Sequence, residues 1–423
     1  MTTLPAPVYL HIGAMKTGTT YLQQLMFANQ ERLAAAGYLL PGGVWARQVR
    51  AVQDALGITR GDPRIKSESA GAWQALVQDA LAHTGKASVL SMEFLSFARP
   101  SVARRLVASL APADVHVVLT VRDATGTIPA QWQTNVQSGS TISWPDFQRG
   151  VRKATTATAR LGRLSRNRPL RAFQRAQGIP RMLEAWGSAV APGRLHVVTV
   201  PPPGSDPRLL WERLASVVGI DPAVCEEAPE RTNASLGHPS AELLRRVNVK
   251  LGRLLPTDYN STLSRHLALQ VLAGRDEPRA KADLATRRFG VEWNAVVREA
   301  IAASNAEVVG SLDDLPVQLS EKQSVELEAD AAEPSEPLML AAAAAGLDLL
   351  QALVRRRARR LRQHGVQTQL PDPVDASQAV PTWMAAPDPV DAAASDLAAL
   401  ARTAIELHRR IYALPAPPGG HAR

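Results

Sequence analysis

Four short, almost unbroken apolar runs constrain the fold more than any other feature of the chain. They are VYLHIG at 8–13, ASVLSME at 87–93, VHVVLTVRD at 115–123 and LHVVTV at 195–200. Between them lie stretches with helical spacing, such as residues 20–36, where Leu22, Leu25, Met26 and Leu33 recur every three to four positions. Strands that are apolar on both faces and alternate with helices predict an α/β fold, a three-layer sandwich around a central parallel sheet. In such sheets ligands gather beyond the carboxyl ends of the strands, which here means the residues after Ile12, Ser91, Val121 and Val200.

The first of those positions carries the densest chemistry. His11-Ile-Gly-Ala-Met-Lys-Thr-Gly-Thr-Thr-Tyr21 joins the first strand to the first helix. A glycine-bearing turn there aims backbone N–H groups into one concavity, and the positive end of the helix adds to the attraction for a phosphate. Gly18 allows close approach of the backbone, Thr17, Thr19 and Thr20 bring hydroxyls, and Lys16 brings a point charge. In a Walker A loop the lysine directly follows the second glycine; here Lys16 precedes Gly18 by two positions, on the side nearer a transferred group.

With this spacing HIGAMKTGTTYLQ resembles the 5′-phosphosulfate loop of the sulfotransferase superfamily, P-K-[ST]-G-[ST]-[ST], with Met15 in place of the proline. VVLTVRDATGTIPAQWQ is similar to the 3′-phosphate element of that family, with Arg122 at the arginine position and Ala130 where the family has serine. Gln131 and Gln133 are the nearby donors that could replace the serine. The resemblance runs from about residue 7 to 255 and looks like a bacterial branch. It implies a P-loop NTPase-like fold and 3′-phosphoadenosine 5′-phosphosulfate (PAPS) as donor, with no metal. It also implies Lys16, Thr17, Gly18, Thr19, Thr20 and Arg122 as nucleotide contacts, and a late loop over the nucleotide for which Arg231, Asn233 and Ser235 are the candidates. The acceptor would be a hydroxyl or amine of a small molecule or glycan. Lys16 would serve the leaving oxygen and Glu93, at the same rim, would be the base, with His83 and His116 as weaker alternatives.

Two other classes stay open at this point. One is a P-loop kinase or NTPase with Asp123 as a magnesium ligand. The other is a non-catalytic nucleotide- or polyanion-binding protein, which the departures at Met15 and Ala130 make conceivable.

Composition narrows the surroundings. The 423 residues carry 48 Lys and Arg against 39 Asp and Glu, a net +9 that favours anionic partners. Ten of the basic residues fall between Arg149 and Arg181 with no acidic residue among them, as a lid, an acidic-acceptor face or a solvated basic loop would have. No aromatic ladder interleaves with them, so nucleic acid is not an expected partner. The single cysteine, Cys225, excludes an internal disulfide framework and fits a reducing compartment. Residues 1–13 lack the pattern of a signal peptide, and the apolar run 338–350 is shorter than the ~20 residues of a spanning helix, so no transmembrane segment and a cytoplasmic location are expected. The expected organisation is a sulfotransferase-like domain over 1–312 and an Ala/Pro-rich tail over 313–423. In that tail 338–363 forms one helix, 369–395 a linker with two PDPVDA repeats, and 397–412 a last short helix.

Overall fold

A computed structural model describes residues 4–155, 166–226, 235–319, 333–367 and 382–414. They form two compact units. The first takes in 1–132, 144–232 and 281–331, and the second 133–143, 233–280 and 332–423.

The first unit is α/β. All four apolar runs become strands, β1 (Val8–His11), β3 (Ala87–Ser91), β4 (Val115–Val121) and β5 (Leu195–Thr199). Two short strands extend the sheet, β2 (Tyr38–Leu39) and β6 (Glu307–Val309), too brief to show as apolar runs. The order is β2-β3-β1-β4-β5-β6 and every pairing is parallel. Every residue of β1, β3 and β5 is buried, so both faces of the central strands are covered. On one face Tyr9, Val89, Val118 and Val198 pack against Leu22 and Met26 of helix α1 (Thr19–Ala28) and Trp211 and Leu214 of helix Leu209–Val218.

After β1 the chain moves to the β2 edge of the sheet, and after β4 it moves toward β5. The direction of winding therefore reverses between β1 and β4, and the crevice between their carboxyl ends is where such sheets receive ligands.

The helix expected over 20–36 is two, α1 and Gln30–Ala35. Asn29 makes the break: its side-chain amide donates to the Leu25 carbonyl, competing with the helical ladder.

The second unit is helical. Helix His238–Leu251, the helical segment Asn260–Leu272, and the long helices Glu336–Gln363 and Pro389–Tyr412 pack together. The Ala-rich helix runs to Gln363 as expected. It contains an 18-residue stretch long and apolar enough to cross a membrane by length and composition, a third of it buried, so the unbroken run 338–350 undercounts its apolar reach. The second PDPVDA repeat is not linker: Asp388 accepts from the Asp391 N–H and Pro389 opens the last helix, which begins well before residue 397. The first repeat lies outside the described residues.

Candidate functional site

The loop after β1 stays fastened to β4. Ile12 N–H donates to the Val118 carbonyl, Ala14 N–H to the Thr120 carbonyl, and Thr120 N–H to the Gly13 carbonyl. Beneath it lies a buried polar cluster. His11 Nδ1 is 2.7 Å from Ser91 Oγ and its Nε2 3.3 Å from Thr120 Oγ1. Thr120 Oγ1 donates to the Gly13 carbonyl and lies 2.5 Å from Thr17 Oγ1, which also reaches the Ala14 carbonyl at 2.7 Å. A neutral imidazole satisfies this set, with Nδ1 accepting from Ser91 and Nε2–H donating to Thr120. Complete burial holds the His11 pKa down at about 4. Thr17, expected to offer its hydroxyl to a phosphate, is instead fully buried with that hydroxyl turned into the loop.

Two glycines set the loop's shape. Gly13 has φ +104, and a Cβ there would lie 3.1 Å from Glu93 Cβ, so its missing side chain lets the loop rest on the start of the 3₁₀ segment Glu93–Phe97. Gly18, at φ +83, precedes the first turn of α1, and a Cβ there would collide with Leu210. The N–H groups of Gly18, Thr19, Thr20 and Tyr21 open the helix and donate to no other described acceptor. Thr19 is buried and Thr20 exposed.

Lys16, between the two glycines, adopts φ +64, a left-handed conformation that costs a residue with a Cβ about 1 kcal/mol. The residue as a whole is partly buried. Burial lowers its pKa, the Glu93 charge raises it and the Arg122 charge lowers it, so the three groups share one electrostatic environment. Arg122 leaves the end of β4 and donates through Nη1 to the Lys16 carbonyl at 3.4 Å. Glu93 accepts from Gln23 Nε2 at 3.1 Å, and the same amide donates to the Ser91 carbonyl at 3.0 Å. Gln23 was not singled out in the sequence; its signal is an amide between Leu22 and Leu25 on the buried face of α1. Gln177 was missed too: its Nε2 donates to the Met15 carbonyl at 2.5 Å, and the Trp293 indole N–H holds its own carbonyl at 3.2 Å.

Lys16, Arg122 and Glu93 thus lie around the same loop at the carboxyl end of the sheet. His83 and His116 do not join them. His83 follows helix Ala72–Ala82 and bonds the Gly37 carbonyl. His116 is the second residue of β4, stacked on Tyr9 and 3.0 Å from His196 Nε2. It stands roughly 20 Å along the strand from Arg122, which excludes it as the base. Asp123 caps helix Ala124–Gln137: its carboxylate accepts from the Thr125 N–H and hydroxyl and from Asn294 Nδ2 at 2.7 Å. Those bonds tie the carboxylate to the start of its own helix and to helix Leu284–Ala302. Among the described residues no group of three or more His, Cys, Asp or Glu is arranged to hold a metal ion. Ala130 is half-buried in the same helix, and Gln133 donates to the Leu236 carbonyl. Ser235 is exposed in the second unit, while Arg231 and Asn233 lie outside the described residues.

The basic segment divides. Arg152 pairs with Asp283 and Thr286, Arg149 with Asp146, and Arg181 donates to the Ser96 and Ala98 carbonyls. Burial, then the charge of Arg175, lowers the Arg181 pKa to about 10. Arg160 and Arg163 lie outside the described residues.

Comparison with protein-family models, with curated proteins and with solved structures finds no match.

Proposed function

We propose that this protein is a sulfotransferase of P-loop-type fold that moves a sulfuryl group from PAPS to a hydroxyl or amine of a small molecule or glycan. The observation that carries this reading is that one loop, where the sheet reverses direction and α1 begins, bears Lys16, accepts from Arg122 through the Lys16 carbonyl and rests at Gly13 on Glu93. A helix start, an ammonium and a guanidinium fit a ligand with two separated anionic groups, and the carboxylate beside them fits a reaction that releases a proton.

When bound, the donor supplies an activated sulfuryl group on a phosphate oxygen. The first turn of α1 and Lys16 hold the 5′ end, and Arg122 grips the 3′-phosphate. Glu93, its Oε2 fixed by Gln23, takes the proton of the acceptor as the new O–S or N–S bond forms. The bridging O–S bond breaks, its electron pair stays with the phosphate, and Lys16 neutralises the charge that develops there. His11, Thr17 and Thr120 keep the loop in shape without touching the reacting groups.

The decisive measurement is thermal stabilisation by 3′-phosphoadenosine 5′-phosphate (PAP), compared with ATP and AMP. PAP at ~100 times its Kd is expected to stabilise by about 2.7 kcal/mol, with much smaller effects from the other two. Arg122→Ala is expected to weaken PAP roughly tenfold to a hundredfold. Equal stabilisation by AMP and PAP would refute the 3′-phosphate role. The kinase alternative is disfavoured by the bonds that hold Asp123.

A further inference from the structure

The long helix Glu336–Gln363 segregates its charges along its length. Residues 336–354 hold Glu336 and Asp348 and no base, whereas 355–363 hold six arginines and no acid. One of the six turns inward: Arg357 is buried and donates to the Thr262 hydroxyl and to the Ser261 and Ala404 carbonyls. At about 100° per residue that anchor sends the other five outward on an arc of roughly 160°, opposite the buried Leu350 and Leu361. Arg355, Arg356, Arg359, Arg360 and Arg362 are all exposed. The carboxylates of Asp258 and Glu406, on neighbouring helices, pair with Arg409 instead.

Such an arc opposes the helix that carries it. Arg355 and Arg359, and likewise Arg356 and Arg360, stand four positions apart, the spacing at which like charges on a helix repel. The helix dipole favours cations in the last turn, which accounts for Arg360 and Arg362 and leaves Arg355 and Arg356 unexplained. An apolar rim lies beside the arc. Leu361 packs with Leu407 of helix Pro389–Tyr412, and Val366, Ile411 and Leu414 are half-buried around them. Arg410 donates to the Gln367 carbonyl, so the two helix ends lie side by side, with Tyr412 55% exposed.

We propose that this end of the second unit docks on a membrane surface rich in anionic phospholipid, with the arginines among the headgroup phosphates and Tyr412 and Leu414 at the edge of the acyl chains. Guanidinium forks match phosphate oxygens, and an anionic surface offsets the repulsion within the arc. Clusters of about 4–8 cations on an amphipathic helix are what such surfaces recruit. The aliphatic rim selects lipid over nucleic acid, which is met by polar contacts and stacked aromatics. The helix rests on the membrane and does not cross it, because Gly346 sits tightly against Leu267 and Leu397 and Arg357 is bonded to its neighbours. The proposal uses the second unit alone and is independent of the sulfotransferase reading.

The test is cosedimentation of the full-length protein with phosphatidylcholine vesicles, with and without ~30% phosphatidylglycerol. Binding to the anionic vesicles is expected to be at least about tenfold stronger, and to weaken as salt rises from about 0.1 M to about 0.5 M. The pair Arg355→Gln and Arg359→Gln, and separately the pair Arg356→Gln and Arg360→Gln, should each lower that binding roughly tenfold to thirtyfold. These side chains are exposed, and an unchanged urea midpoint would show that both variants fold. Tyr412→Ala should weaken binding to anionic vesicles without altering its salt dependence. Equal binding to both kinds of vesicle, no binding to either, or binding that survives both glutamine pairs overturns the proposal. So does displacement from the anionic vesicles by a double-stranded oligonucleotide at equal phosphate concentration, which would assign the arc to nucleic acid.

Discussion

At the scale of single residues, the loop after β1 rests on a buried histidine. His11 is wholly buried with a pKa held near 4, below its ordinary value of about 6.5. The unfolded chain therefore binds a proton that the folded chain refuses. Stability from this group is fully present above pH ~6.5 and is lost as pH falls toward 4, by roughly 3 kcal/mol over that interval. Urea unfolding at pH 7 and pH 4.5 is expected to show this loss in the wild type and to show a shallower one in His11→Gln. An equal slope in both would place the pH dependence elsewhere. Lys16 makes the complementary point, because its left-handed backbone is better suited to glycine. Lys16→Gly should unfold at higher denaturant than Lys16→Ala, by about 1 kcal/mol, while both lose sulfuryl transfer if the ammonium serves the leaving oxygen.

At the scale of elements, polar caps rather than apolar runs decide where helices begin and which segments they fasten. Asp283 accepts from the Thr286 N–H at the start of helix Leu284–Ala302 and binds Arg152 through both oxygens at 2.9 Å, so one carboxylate ends a loop and anchors a residue of the basic segment. Asp283→Ala should cost about 1–2 kcal/mol by denaturant unfolding, and Asp283→Asn less, because asparagine still caps. The same chemistry explains why the second PDPVDA repeat opens a helix when its composition reads as linker. An aspartate before proline is a helix N-cap wherever the residues beyond it can bury an apolar face, as Val390, Ala393, Ala394 and Leu397 do. Asn29 works in the opposite direction and splits a helix whose apolar spacing runs straight through it.

At the scale of the whole molecule, the second unit is built on close approach between long helices. A Cβ at Gly346 would lie 2.9 Å from Leu267 and 3.1 Å from Leu397, and Arg357 is buried while donating to the Thr262 hydroxyl and the Ser261 and Ala404 carbonyls. Gly346→Val should destabilise by about 1–3 kcal/mol, with amide exchange accelerating in helices Glu336–Gln363 and Pro389–Tyr412 before it does in β1 or β4. Uniform acceleration throughout the chain would count against a separately packed unit. The sequence alone determined the four central strands and the loop that follows the first, because strands buried on both faces must be written in apolar residues and a tight turn before a helix must be written in glycine. It also contained Lys16, Arg122 and Glu93 as strand-end residues. Only the tertiary structure decided that these three gather around one loop, since strand order is not written in any local pattern and adjacent strands come from residues some eighty to a hundred positions apart. Thr17 turned inward, Asp123 became a cap and His116 lay at the far end of its strand for the same reason: where a polar side chain points depends on neighbours that only packing supplies.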